Sequence, residues 1–347
     1  MAPLLEPDKL AQLVVPMFAN EPVTGFRLGN GASAQIVLGV ADQDDCAAVE
    51  VEGRQVLVFG SDYVRGPKFS LYEHGYLSNY DIGWYLAGAN LSDVAAMGAQ
   101  PIGLLSVLRY PKDLPDEDFA AVLQGVRDCC ASVGAANLGG DIGTAERMIL
   151  SASAFGVTEP GGVLARSAAR PGQVVLLTGP TGIAGAAMKY LTSTTSIELD
   201  ESELEVALRP WRRVAPRVSH GRLISRTPGA GACIDTSYGL AGALHQVSAA
   251  SGVAIEIDQA FIPIDSLVSR ISTLLGVDVL DLVCGDSVDF ELVATIDEGD
   301  LDGLMEAATD EGVKFHPIGR VAAGQGVDLV VDGERTTLPG SPWVNAT

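Results

Sequence analysis

The sequence is short of basic residues: 22 lysines and arginines stand against 44 aspartates and glutamates, and the formal net charge is −22. Such a chain is repelled by nucleic acids and by anionic membranes, so we expect neither as a partner. No uninterrupted apolar run reaches the roughly 18 residues of a membrane span, and the first residues lack a basic segment followed by a long apolar one. We therefore expect a soluble, cytoplasmic protein.

The cysteines lack the spacing of a metal or redox motif, since none of them forms a CxxC pair and their positions do not suggest a disulfide framework. We expect small buried hydrophobic residues in a protein of a reducing compartment. The five are Cys46, Cys129, Cys130, Cys233 and Cys284.

Several familiar catalytic motifs are also missing. The stretch GPTGIAG (179–185) lacks the Lys-Ser/Thr ending of a phosphate-binding P-loop, and neither GxSxG nor HExxH occurs. The four histidines are scattered without the spacing of metal ligands, so we expect them to be ordinary surface or core residues. They are His74, His220, His245 and His316.

The chain does have enough apolar residues for a large core, with 47% hydrophobic residues over 347 positions. That length predicts about two domains. Runs such as VLVFGSD (56–62) and MILSASAFGVT (148–158) predict strands, and they alternate with helical segments in both halves. The fold class is therefore α/β or α+β. The Pro- and Gly-rich stretch 160–179 predicts a boundary between domains 1–159 and 160–347.

One predicted helix carries an unexpected pair of polar residues. In GANLSDVAAMGAQP (88–101), Asn90 and Asp93 lie three positions apart, and therefore on one helical face. Gly98 is typical of a helix end, and Pro101 follows it. A carboxylate on a face of Ala, Leu and Met costs several kcal/mol unless something compensates it. Asp93 is therefore either a capping or hydrogen-bonding residue or a metal ligand.

Other carboxylates could share such an ion, because aspartates recur where apolar strands end or helices begin. Each one alone is weak support, since Asp is common in turns and caps. Together they predict a distributed site for a hard cation such as Mg²⁺, which prefers oxygen ligands and phosphates. These aspartates are Asp44, Asp45, Asp62, Asp93, Asp141 and Asp235.

The order of motifs resembles that of thiamine-monophosphate kinase, within the superfamily of aminoimidazole ribonucleotide synthetase and selenophosphate synthetase. The matching stretches run from about residue 36 to 321 and include DDCAAV, NLSDVAAMGA, NLGGDIG, RSAARPG, CIDTSYGL and HPIGRV. The resemblance implies an N-terminal α/β domain that forms a sheet across a homodimer, and a C-terminal α+β domain. It also implies that ATP binds between the domains with magnesium.

The resemblance carries roles onto particular residues. Asp93 and Asp141 are expected to be catalytic. The expected metal ligands are Asp44, Asp62, Asp93, Asp141 and Asp235. The expected nucleotide contacts are Ser61, Gly140, Asp141, Arg166 and Ser237.

The chain also departs from the family pattern. Tyr238 replaces a metal-binding aspartate, and a phenol with a pKa near 10 is a poor Mg²⁺ ligand. Arg65 and Lys68 replace an acid and a histidine on the substrate side, whereas Trp343 keeps the family's terminal aromatic. We count these last three as substrate residues. The added positive charge predicts that thiamine monophosphate is used poorly and that an anionic acceptor is preferred.

Three functions remain open at this point. The first is an ATP- and Mg²⁺-dependent kinase that phosphorylates a small molecule, with thiamine monophosphate as the family default. The second is an enzyme of the same superfamily that phosphorylates an amide or carboxylate so that an amine can displace the phosphate. The third is a nucleotide-binding protein without turnover, which the loss of a carboxylate at Tyr238 suggests.

Overall fold

Two seven-stranded sheets form the frame of the protein in the computed structural model, which describes residues 12, 15–18, 25–27, 33–52, 54–64, 67–193 and 199–339. The strand order is β1-β2-β3-β4-β7-β5-β6 in the first sheet and β14-β13-β10-β12-β8-β11-β9 in the second. The first sheet consists of β1 (Gly25–Arg27), β2 (Ser33–Leu38), β3 (Ala47–Val51), β4 (Gln55–Val64), β5 (Gln100–Tyr110), β6 (Ala136–Thr144) and β7 (Ile149–Thr158). The second consists of β8 (Gln173–Leu177), β9 (Ala230–Asp235), β10 (Ala254–Asp258), β11 (Leu292–Asp297), β12 (His316–Ala322), β13 (Gly326–Val331) and β14 (Glu334–Thr337).

Helices pack on both sheets. Those of the first half are α1 (Val15–Phe18), α2 (Pro67–Glu73), α3 (Asn79–Ala96) and α4 (Asp116–Ser132). Those of the second half are α5 (Ile183–Thr192), α6 (Glu201–Arg212), α7 (Val218–Arg226), α8 (Gly239–Ser251), α9 (Ser266–Leu275), α10 (Val279–Val283) and α11 (Leu301–Asp310). The predicted strands at 56–62 and 148–158 fall within β4 and β7, and the predicted two-domain α/β class is confirmed. The boundary at residue 160 stays a proposal.

Helix α3 is the central element of the fold. It starts at a capping box in which Ser78 and Asp81 exchange hydrogen bonds, and it is followed by Gly98 at φ +68°, as predicted. Fourteen of its eighteen residues are buried. Gly83 allows α4 to cross closely, because a Cβ on Gly83 would lie 2.0 Å from the Val122 carbonyl oxygen.

The second half of the chain packs directly on α3. The indole of Trp84 donates a hydrogen bond to the Val214 carbonyl oxygen at 2.8 Å. Helix α7 crosses α3 at Gly221, where a Cβ would lie 2.0 Å from the Ala95 carbonyl oxygen. Tyr85 stacks on Trp211 with ring centroids 6.1 Å apart. Both halves therefore share this helix as part of their cores.

The other face of the first sheet is open. Leu105, Val107 and Ile149 lie on this face and are between 38% and 45% exposed. The edge strand β6 adds Leu138, which is 54% exposed and lies beside Gly103. A contiguous apolar surface next to a free sheet edge is typical of an interaction surface.

Two expectations about the composition can be compared with the fold. The five cysteines are all buried and free, as expected of small hydrophobic residues. In the part of the chain that the structure describes, each helix is too short or too polar to cross a membrane.

Candidate metal and nucleotide site

Three carboxylates, one buried and two half-buried, meet where the two sheets face α3. Asp45 lies in the loop before β3, Asp93 lies on α3, and Asp235 ends β9. One oxygen of each lies within 4.8 Å of an oxygen of the others. These three residues, here called the acidic cluster, combine both halves of the chain in one site.

Neighbouring groups fix the direction of two of the three carboxylates, Asp235 and Asp45. Ser92 on α3 donates a hydrogen bond to Asp235 Oδ2 at 2.6 Å, and the backbone N–H of Ser237 donates to Asp235 Oδ1 at 3.1 Å. The guanidinium of Arg166 donates to Asp45 Oδ1 at 2.5 Å. The geometry of the cluster is therefore set by groups on α3, in the turn after β9 and in the loop between β7 and β8.

The cluster carries more negative charge than its surroundings compensate. Burial, reinforced by the neighbouring carboxylates, raises the pKa of Asp93 well above its ordinary value. Burial raises the pKa of Asp45 to about 8, even though Arg166 acts in the opposite direction. Asp45 Oδ2 is buried and has no hydrogen-bond partner among the described residues. An all-oxygen donor set with excess negative charge and an unsatisfied ligand atom fits a hard divalent cation such as Mg²⁺.

The acidic cluster contains Asp45 and not its neighbour Asp44, which the sequence analysis named as a metal ligand. The side chain of Asp44 instead accepts the Arg166 backbone N–H at 3.0 Å and the Asp45 backbone N–H at 2.9 Å. The two neighbours diverge just after Gln43, which adopts φ +49° where the family motif has glycine. In this structure Asp44 supports the loop and Arg166, and the assignment of Asp44 as a direct ligand stays a proposal.

Asn90 and Asp93, the unexpected polar pair of α3, have different structural roles. Asn90 is fully buried, and its Oδ1 accepts the backbone N–H of Asp62 at 2.9 Å, which joins α3 to β4. Asp93 belongs to the cluster. Asp62 lies close enough for its charge to contribute to the raised pKa of Asp93. Gly60 allows β4 to lie close to Cys46, because a Cβ at Gly60 would lie 2.8 Å from Cys46 Sγ.

Gly140 and Asp141 lie away from the cluster, on edge strand β6. Asp141 pairs with Arg109 at 2.6 Å, and its side chain is 66% exposed. In the ladder, Asp141 aligns with Val107, Ser151 and Tyr63, so three strand spacings of about 4.8 Å, or about 14 Å, separate β6 from β4. Within one chain, the structure does not bring Asp141 to Asp93.

Ser61 also points away from the cluster, because adjacent strand residues face opposite sides and Asp62 faces α3. Its hydroxyl lies 2.7 Å from that of Ser153. Arg166 and Ser237, in contrast, both lie beside the cluster. Arg166 also donates to Gln246 Oε1 at 2.6 Å.

The side chains of the three predicted substrate residues lie outside the described part of the structure. Arg65 and Trp343 lie outside the described residues, and only the backbone of Lys68, in α2, is described. Tyr238 is the residue before α8 and is 40% exposed. It follows the cluster segment directly, so the departure from the family pattern falls at the site itself.

Sequence reasoning did not single out Ser92 or Asp289. Ser92 lies within the NLSD motif, but its bond to Asp235 joins residues 143 positions apart. Asp289 is buried and accepts the backbone N–H groups of Gly182 and Ala184 at 2.6 and 2.9 Å, which caps α5. Both are short polar residues beside Gly-rich or apolar segments, a signal too common to identify them.

Comparison with known families defines the class of protein. Residues 43–158 match the family model "AIR synthase related protein, N-terminal domain", and residues 170–332 match its C-terminal counterpart. The chain belongs to the AIR synthase related family.

Within that family, the chain is similar to thiamine-monophosphate kinases. The Halobacterium salinarum enzyme is 32% identical over 258 residues, which cover 74% of this chain and 82% of the relative. The Bacillus subtilis enzyme is 28% identical over 306 residues, covering 88% of this chain and 91% of the relative. The predicted family and the predicted kinase-type enzyme are confirmed.

Solved structures agree with this. The thiamine-monophosphate kinase of Stenotrophomonas maltophilia K279a has a TM-score of 0.72 and 29% identity, covering 87% of this chain and 92% of that one. "AaThiL complexed with AMPPCP and TMP" has a TM-score of 0.79 and covers 100% of this chain and 99% of that one. At 22% identity, the second likeness concerns the fold.

Proposed function

We propose that this chain transfers the γ-phosphoryl group of ATP to a small phosphorylated acceptor in a Mg²⁺-dependent reaction, with thiamine monophosphate as the first candidate acceptor. The observation that carries the proposal is the acidic cluster between the two halves of the chain. The relatives named above are kinases, and AaThiL binds AMPPCP, an ATP analogue. Both facts favour a kinase over an amide-activating enzyme or a protein without turnover.

Asp45, Asp93 and Asp235 are the residues that would hold magnesium, with Asp62 beside them. When bound, Mg²⁺ supplies positive charge that neutralises the β- and γ-phosphates, and this is the main requirement of phosphoryl transfer. The chain's own contribution is positional: Ser92 and Arg166 hold two of the three carboxylates in fixed directions.

The remaining predicted nucleotide contacts keep their assignments as proposals. Arg166 and Ser237 lie next to the cluster, where they could reach phosphates or ribose. Gly140 and Asp141 lie on β6, and Ser61 lies on the open face of the sheet. A residue on that face can contact a nucleotide in two ways. The nucleotide site would have to extend past β5, or a second chain would have to cover the open face.

The first test measures ADP release with ATP, thiamine monophosphate and Mg²⁺. We expect ADP release that depends on the acceptor and stops when EDTA removes the metal, because the carboxylates alone repel the phosphates. In the control, Mg²⁺ is added back in excess after chelation, and the rate of ADP release should return. Acceptor-independent rates, or full activity in excess EDTA, would contradict the proposal.

A second arm of that experiment identifies the acceptor by comparing rates of ADP release. Arg65 and Lys68 predict poor use of thiamine monophosphate, so its rate is compared with that of anionic phosphorylated acceptors lacking a thiazolium ring. Lys68→Ala should shift the preference back toward thiamine monophosphate. Efficient formation of thiamine diphosphate, unchanged in Lys68→Ala, would establish thiamine monophosphate as the acceptor and end the prediction of a changed one.

The protein is proposed to be a homodimer joined through the open face of the first sheet. We expect twice the 36.0 kDa chain mass by light scattering at micromolar concentration. Val107→Glu, which puts a charge in the middle of that face, should give monomers because the carboxylate would be buried unpaired. The matched control is Val206→Glu on α6, equally exposed and far from the face; it should stay dimeric. A monomeric wild-type protein would rule out the dimer.

The cytoplasm is the proposed location. Five buried free cysteines are in keeping with a reducing compartment.

A further inference from the structure

A buried glutamate lies directly behind the acidic cluster. The side chain of Glu291 is 5% exposed. Its Oε2 accepts hydrogen bonds from Thr178 Oγ1 at 2.5 Å and from Arg217 Nε at 2.8 Å, and its Oε1 accepts a second guanidinium N–H of Arg217. These bonds occupy both carboxylate oxygens, so Glu291 is held as a fixed part of the structure.

The backbone of Glu291 is bonded to the residue that follows Asp235. The N–H of Thr236 donates to the Glu291 carbonyl oxygen at 2.8 Å, and the N–H of Glu291 donates to Thr236 Oγ1 at 3.0 Å. Thr236 stands between Asp235 and Ser237. Glu291 thus fixes the short segment that presents Asp235 to the cluster.

The same glutamate also fixes the glycine-rich loop 178–182. A Cβ on Gly179 would lie 2.8 Å from Glu291 Oε1, so the loop and the carboxylate are in close contact. The backbone N–H of Leu292 donates to Thr178 Oγ1 at 2.8 Å. Three chain segments, around residues 178, 236 and 291, therefore meet at one carboxylate.

The residue before Glu291 adopts an unusual backbone conformation. Phe290 has φ +57°, which an aromatic residue adopts only when its surroundings enforce it. Its ring is buried and contacts the edge of Tyr85 on α3, with centroids 5.6 Å apart. The turn at Phe290 places its ring against α3 while Glu291 meets Thr178 and Arg217. The chain thus maintains an unfavourable conformation at the point where Glu291 is positioned.

We infer that Glu291, held by Arg217, is a positioning residue for Asp235. It keeps the Asp235 carboxylate at the separation from the rest of the cluster that a divalent cation requires. The inference rests on the proposed function, because it takes the cluster to be a metal site. Groups that orient metal ligands typically change metal affinity 10- to 100-fold when they are replaced.

The test measures Mn²⁺ binding to the nucleotide-free full-length protein, by the electron paramagnetic resonance signal of free Mn²⁺. Glu291→Gln keeps the shape and removes the charge. We expect its Kd for Mn²⁺ to rise about tenfold, and high Mg²⁺ to restore much of its kcat. The matched control is Glu256→Gln: Glu256 is also 5% exposed, is held by Arg320 and Arg335, and lies on β10, three strands from β11. Its Kd should stay at the wild-type value.

Two further variants separate the possible outcomes. If Asp235→Asn loses Mn²⁺ affinity while Glu291→Gln keeps it, the inference is wrong and the proposed function stands. If Asp235→Asn binds Mn²⁺ as wild type does, the proposed function itself is wrong. Equal weakening by Glu291→Gln and Glu256→Gln would show a general loss of stability and overturn the inference. Should Glu291→Gln fail to fold, Arg217→Lys replaces it, and wild-type affinity in that variant would overturn the inference.

Discussion

Replacing Asp93 by asparagine should abolish turnover and leave the protein folded. The amide keeps the shape of the side chain but removes one charge from the acidic cluster, and with it a ligand that magnesium requires. We expect kcat to fall about a thousandfold, which corresponds to about 4 kcal/mol of transition-state stabilisation. ADP release at saturating ATP and Mg²⁺ measures this loss.

The stability of Asp93→Asn provides the internal control. Burial and the carboxylates around Asp93 raise its pKa, so the charged form is unfavourable in the metal-free fold. Removing the charge should therefore maintain or raise the Tm measured in EDTA at pH 8. Turnover at the wild-type rate in Asp93→Asn would remove Asp93 from the metal site, whereas a large fall in Tm would show that its role is structural.

Gly221→Ala should strongly destabilise the protein although it adds one methyl group. The new Cβ would lie 2.0 Å from the backbone oxygen of Ala95, which cannot rotate away, so α7 would have to move off α3. We expect the free energy of unfolding to fall by about 3 kcal/mol. Urea denaturation followed by circular dichroism measures the change.

The matched control is Gly303→Ala, in the exposed part of helix α11. No atom lies within 4 Å of a Cβ at that position. Alanine is the better helix former, so Gly303→Ala should be neutral or stabilise by up to about 1 kcal/mol. If Gly221→Ala and Gly303→Ala behave alike, the close crossing of α3 and α7 is not a determinant of stability.

Local patterns in the sequence were sufficient to predict the fold class and several elements, among them α3, β4 and β7. The caps of α3 and its glycine stop are short-range features, as is the alternation of apolar residues in β7. The choice between Asp44 and Asp45 could not be made in this way. Adjacent loop residues carry no periodicity, and the direction of each depends on Arg166, more than a hundred residues away along the chain.

The contributions of Ser92 and Glu291 were hidden for a related reason. Each acts through hydrogen bonds to residues far along the chain, and a serine in a helix or a glutamate near a strand has no pattern of its own. Asp141 illustrates the opposite case. Its motif was easily recognised, but its distance from the cluster depends on strand order, which the sequence does not encode locally.

The burial of α3 on nearly all sides has a consequence for how the chain can be divided. Its side chains pack against the first sheet, helix α4 and the second half of the chain simultaneously. A fragment ending near residue 160 would expose one side of this apolar helix to water, and a fragment starting there would lose the surface on which Trp211 and Phe290 pack. The two halves are distinct in architecture yet interdependent in folding, so neither is an evolutionary module that can be transplanted without the other.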